Sequence, residues 1–175
     1  MALTANLIPS QITTFPCPYD ATLAFCSAQS LTATGYFNNL NSGQLDLGGP
    51  SPVSAAGRTD FIWNILITVL DETTTDEVYK IHLFGSNDVA FGNGNVELLA
   101  FHDFAGLAAN RQVATILGAS PVVPPTGLAG TLIQIPATNL MQRIYYRYLR
   151  MYLVASGTTP IFTCTSWISR AAIDV

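Results

Sequence analysis

His82 and His102 are the chain's only imidazoles, and each falls in a run of β-strand composition, with Asp103 beside the second. A zinc site needs three or four converging ligands, and no local spacing of His, Cys, Asp or Glu supplies them. A Ser-His-acid triad converges in space rather than in order, but the Gly-x-Ser-x-Gly elbow that marks one common setting is absent. GlyAsnGlyAsn, from Gly92 to Asn95, lacks the third Gly and the Lys-Ser/Thr of a phosphate-cradling loop, and no helix start follows it. It reads as a hairpin turn. The expectation is a chain with no catalytic residues, no metal and no cofactor.

The charged clusters point elsewhere. Arg143, Arg147, Arg150 and Arg170 fall in a C-terminal stretch whose only acid is Asp174, interleaved with Tyr145, Tyr146, Tyr148 and Tyr152. That interleaving fits ordinary sandwich packing with intrachain ion pairs, a protein interface rich in Arg and Tyr, or a platform on which single-stranded bases stack. Seven Lys and Arg against eleven Asp and Glu give a net charge of -4, so the basic excess that drives nucleic-acid binding is missing. Asp71, Glu72, Asp76 and Glu77 do not have the spacing of an EF-hand loop. They read as a solvated hairpin tip, or as a contact for a basic partner surface. Cys17, Cys26 and Cys164 form no CxxC pair, and an odd count of three reads as buried free thiols.

The elements that position these residues are short. With 175 residues the chain has the length of one domain. The β-rich runs expected are 31–37, 44–47, 61–70, 78–84, 96–103, 113–117, 132–135 with 144–154, and 162–169, separated by turn formers at sandwich-like intervals. In Phe61, Trp63, Ile65, Ile67 and Val69 the period-2 set is wholly apolar, while the alternate set admits Asn64 and Thr68, so Trp63 is expected inside. In 145–154 both faces carry large side chains, and a cover over the aromatic face is expected. Residues 1–26 read as an extended N-terminal arm, with Pro9, Pro16 and Pro18 opposing helix. Residues 27–175 read as the β-sandwich. Leu7, Ile8, Ile12 and Phe15 give the arm apolar anchors for an intermolecular groove or sheet edge.

Hydrophobic residues make up 49% of the chain and charged residues only 10%, well under the roughly 25% usual for soluble domains, which points to assembly. One Lys against six Arg agrees, because interfaces favour Arg over Lys. The run Phe61 to Leu70 is about half the length of a membrane-spanning helix, so no membrane partner is expected. The first ten residues carry no basic residue and no apolar core of leader type, so synthesis in a cytoplasm is expected.

Two segments carry a family resemblance. Ser27 to Tyr36 (SerAlaGlnSerLeuThrAlaThrGlyTyr), followed by Gln44 to Gly48, resembles the opening of the cement, or decoration, proteins of tailed-bacteriophage capsids, the family known from Bordetella phage heads. Arg147 to Pro160 and the ThrCysThrSerTrpIle run ending at Ile168 are similar to that family's last two strands and the loop between them, and Phe84 to Asp88 to its middle hairpin. The resemblance implies a jelly-roll β-sandwich of about eight antiparallel strands, homo-oligomeric as a dimer or trimer. It implies a non-enzymatic virion protein on the outer capsid surface, made in the bacterial host cytoplasm, bridging major capsid protein subunits against the pressure of packaged DNA. The Pro-bearing arm and the enlarged Ala119 to Gly130 segment depart from the family pattern.

Contacts with the capsid or between subunits are expected at Leu7, Ile8, Ile12 and Phe15, at Arg143, Arg147 and Arg150, and at Asp71, Glu72 and Asp76. The competing reading is a jelly-roll carbohydrate-binding module, which requires Tyr146, Tyr148 and Tyr152 on an open face. A jelly-roll enzyme of cupin type needs clustered His and carboxylate ligands and is the poorest fit to two histidines.

Overall fold

A computed structural model describes residues 20–49, 57–71, 76–92, 96–105 and 129–170. Its elements are β1 (Ala24–Leu31), β2 (Gly35–Tyr36), β3 (Gln44–Asp46), β4 (Asp60–Leu70), β5 (Val78–Ser86), β6 (Val96–Ala105), β7 (Leu132–Thr138), β8 (Leu140–Met141), β9 (Ile144–Tyr145), β10 (Tyr148–Ser156) and β11 (Phe162–Arg170). Two short 3-10 turns, Ala21–Leu23 and Asn41–Gly43, are the only helical pieces among the described residues. No helix there is long and apolar enough to cross a membrane.

The strands form an all-β sandwich of antiparallel sheets, as the sequence leads one to expect. One sheet runs β1-β11-β4-β7; the other runs β2-β10-β5-β6, with β3 also paired to β10. β2 and β3 line the same edge of β10, because Tyr36 stands opposite Tyr152 and Gln44 opposite Arg150. They form one edge strand interrupted by the Asn41–Gly43 turn. At Gly43, φ is +68° and a Cβ would collide with the Phe37 carbonyl oxygen, so only glycine closes this turn without strain. With β2 and β3 counted as one strand and the β8–β9 hairpin set aside, the eight described strands in chain order stand 1-8-3-6 and 2-7-4-5. Every connection except β5 to β6 crosses from one sheet to the other.

Period-2 alternation places the core. β4 turns Phe61, Trp63, Ile65 and Ile67 inward, β5 turns Tyr79, Ile81 and Leu83, and β10 turns Leu149, Met151 and Leu153. Phe37, Tyr79 and Phe162 fill the sandwich, with Phe162 ring centroids 6.2 Å and 5.7 Å from the other two. Burying each such side chain is worth about 1.5–3 kcal/mol, so the strands hold because their inward sets meet. Trp63 is fully buried, as its alternation requires.

Several expectations need correction. The first strand is 24–31 rather than 31–37, and Ala24, Phe25 and Cys26, assigned to the arm, are fully buried in β1. Two register shifts in β1 break its alternation, which hid the strand from a period-2 reading. The run 144–154 is not one strand: it breaks at Tyr146 and Arg147, where the Tyr146 backbone N–H donates to the Asn139 carbonyl instead of continuing a ladder. Glu77 is fully buried rather than solvated. Leu7, Ile8, Ile12, Phe15, Cys17, Glu72, Asn93 to Asn95 and the strand expected at 113–117 lie outside the described residues.

Candidate functional site

Among the described residues the two histidines do not converge. His82 stands opposite Phe101 and His102 opposite Ile81, so strand alternation puts the two imidazoles on opposite faces of one sheet. Burial pushes both below the ordinary histidine range, with the Asp103 carboxylate pulling each partly back. No group of three or more His, Cys, Asp or Glu stands close enough to hold a metal ion among the described residues. Cys26 and Cys164 are buried free thiols with sulfurs 3.7 Å apart, and burial pushes Cys164 well above the usual thiol range, so it is a poor nucleophile.

The acidic run serves the fold in part. Asp76 accepts from the Thr158 backbone N–H at 3.1 Å and from its hydroxyl at 3.1 Å, fastening the 157–159 turn. The Asp71 carbonyl accepts from Tyr79 Oη at 2.9 Å, and the Asp71 N–H donates to the Ile161 carbonyl. Neutral side chains clamp the remaining loops. Asn139 is buried; its Nδ2 donates to the Gly57 and Tyr146 carbonyls, each at 3.0 Å, and its Oδ1 accepts from the Thr59 N–H. Asn87 bridges the Tyr145 carbonyl and the Arg147 N–H in the same way.

The arginines divide by environment. Arg147 grips Asp46 with Nε on Oδ1 and Nη2 on Oδ2, both at 2.7 Å, and its guanidinium lies 5.1 Å over the Tyr148 ring. That fork holds both groups in their charged forms, raising Arg147 and lowering Asp46 from their usual ranges. Arg147 thus has an intrachain partner. Arg143 occupies the two-residue β8–β9 turn, where Gln142 and Arg143 both have positive φ, 51° and 69°, without a glycine between them. The turn presents Arg143, Ile144 and Tyr145 to solvent. The Arg170 side chain lies outside the described residues.

Arg150 is different. Its guanidinium lies 4.6 Å from the Phe91 ring centroid and 5.5 Å from that of Tyr36, and its Nη2 donates to Gln44 Oε1 at 3.0 Å. Its Nε is buried with no hydrogen-bond partner. Around it, pairing registers set two rows across the outer face of the sheet. One runs Tyr36, Tyr152, His82, Phe101; the other runs Gln44, Arg150, Phe84, Leu98. The rings pack edge to face: Tyr36 and Tyr152 are 4.7 Å apart at 63°, and His82 and Phe84 are 5.6 Å apart at 80°. The face is open at its margins, with Phe101 59% and Tyr36 37% exposed. Among the described residues, Phe91 reaches over Arg150 and no further layer lies across the face. Tyr146 and Tyr148, expected candidates for an open face, are buried.

On the opposite sheet Asn64, Trp167 and Ser169 point away from the core and are nevertheless buried, so the centre of that outer face is covered. The aromatic-arginine face is the more open of the two. From the sequence, Arg150 and Tyr152 were accessible as candidates; Tyr36, Phe84, Phe91 and Phe101 were not. Only the register that sets four distant segments side by side reveals them. Comparison of the chain with known protein families and with curated proteins returns no match.

Proposed function

We propose that this chain is a non-enzymatic structural protein that binds the outer surface of an assembled phage capsid and cements the major capsid subunits. The observation that carries this reading is the open sheet face on which half-exposed aromatic rings surround Arg150, the composition of a protein-interface centre. Low charge and exposed apolar side chains such as Val89, Ile144 and Tyr145 fit a protein that works clamped against neighbours. The resemblance at 27–48 and 147–168 points to the same role, at a virion surface and as a homo-oligomer.

A carbohydrate-binding module has the same aromatic face in its favour. Stacking on a pyranose needs a ring presented flat to solvent, however, and here neighbouring rings stand at 56° to 80° to one another with Arg150 among them. Co-sedimentation of the purified protein with emptied capsids that lack it is the test. Saturable binding that raises the shells' resistance to heat supports the cement role; protein that stays in the supernatant at all concentrations removes it.

A further inference from the structure

Resting on the capsid-binding reading, we propose that the outer face of the β2/β3-β10-β5-β6 sheet is the docking face, and that Arg150 receives a carboxylate from the capsid protein. The occupant is a protein surface with an Asp or Glu set among apolar side chains.

Charge complementarity carries the choice. Among the described residues, Arg58 pairs with Asp60, Lys80 with Asp103 and Arg147 with Asp46. Arg150 has no carboxylate partner there, although the chain holds eleven acids. Among the described residues its one hydrogen-bonded partner is the neutral Gln44, and its buried Nε–H has no acceptor there. A half-buried guanidinium in that state carries a desolvation cost that an incoming carboxylate offsets. The flanking Phe91 and Tyr36 rings already hold the planar fork, so less side-chain freedom is lost on binding.

The layout agrees. Lys80–Asp103 lies on one side of the aromatic rows and Asp46–Arg147 on the other, giving an apolar centre around one arginine with a paired, polar rim. Polar rims of this kind exclude water from a central anchor. A nucleic-acid phosphate fits less well, because one half-buried arginine on this face and a net charge of -4 for the chain offer little counterion release.

The experiment compares the full-length parent with Arg150→Gln, Arg150→Lys and Phe101→Asp. Arg150→Gln removes the charge while keeping a polar side chain; Phe101→Asp places a negative charge on an exposed position of the same face. Circular dichroism melts verify folding. Readouts are the affinity for emptied capsids in co-sedimentation, oligomeric state in sedimentation velocity, and binding to a panel of soluble oligosaccharides. A loss of about tenfold or more in capsid affinity for Arg150→Gln and Phe101→Asp, with a smaller loss for Arg150→Lys and an unchanged oligomer, supports the proposal. If Arg150→Gln fails to fold, the exposed Phe101→Asp decides alone. If the parent binds capsids and these variants bind equally well, the docking face lies elsewhere and the cement role stands. If the parent binds no capsid, the cement reading falls and the proposal with it. Variants that change only the oligomer make this a self-interface, and an oligosaccharide bound by the parent but not by Arg150→Gln makes it a sugar site; either overturns the proposal.

Discussion

Trp63 and Ser166 make a buried pair whose energetics can be worked in advance. Trp63 Nε1 donates to Ser166 Oγ at 2.9 Å, and that hydroxyl donates onward to the Asn64 carbonyl at 2.9 Å, with both side chains fully buried. Trp63→Ala removes a large core side chain and is expected to cost roughly 3–5 kcal/mol, a large part of the ~5–15 kcal/mol typical of a domain. With an m-value of about 2 kcal/mol per molar in urea, the midpoint falls by roughly 2 M. The subtler perturbation is a double-mutant cycle. Ser166→Ala strands the indole N–H in a fully buried site, costing about 1–3 kcal/mol. Trp63→Phe loses the same hydrogen bond and some packing, but strands no donor, because the Ser166 hydroxyl keeps its acceptor. The double variant has no indole N–H to strand, and the lost bond to the Asn64 carbonyl is common to it and to Ser166→Ala, so its cost should fall short of the sum of the singles by on the order of 1–2 kcal/mol. Urea titration followed by far-ultraviolet circular dichroism measures all four proteins. Strictly additive costs, or a Trp63→Ala midpoint equal to the parent's, would refute the buried pair.

Other outcomes follow from the same structure. Asn139→Ala leaves the Gly57 and Tyr146 carbonyls and the Thr59 N–H without their side-chain partner; it should cost about 2–3 kcal/mol in urea titration, and a cost near zero would show that the clamp contributes nothing. Cys26 and Cys164 should resist a thiol-specific reagent in the native protein and react after unfolding, because both are buried and Cys164 is held protonated; rapid native labelling of either, located by peptide mass, contradicts this. His82 and His102 titrate below their ordinary value of 6.5 in the fold, so the unfolded chain takes up protons first as pH falls. Stability is therefore full above about pH 6.5 and declines as pH drops through that value toward the lower native ones; a urea midpoint at pH 5 equal to or above that at pH 8 would reverse the sign. Because the three ion pairs among the described residues are partly exposed and the loops are fastened by neutral amides, melting temperature should shift little between low and high salt. A steep salt dependence would mean that charge carries more of the stability than these pairs account for.

The class of fold was legible in the sequence because strand formation here is a local property. Phe61 to Ile67 alternates by two, so its inward set could be read residue by residue, and Trp63 lies where that reading places it; Val69, expected inward with them, is exposed beyond the register shift opposite Thr163 and Cys164. The same rule failed at β1, where bulges spoil the alternation, and at 144–154, where Asn139 draws the Tyr146 backbone out of the ladder. Arg147 and Arg150, three residues apart and alike in sequence, took opposite roles: β3 sets Asp46 against the first, while Gln44, Phe91 and Tyr36 surround the second. The sequence by itself determined an acidic, charge-poor chain of short strands with a buried Trp63 and no local constellation of metal ligands. Tertiary structure alone decided which sheet face is the more open among the described residues, and that Arg150, unlike Arg147, has no carboxylate against it there. Those outcomes depend on registers between strands more than a hundred residues apart, such as Tyr36 with Tyr152 and Gln44 with Arg150, and no local pattern of residues encodes such pairings.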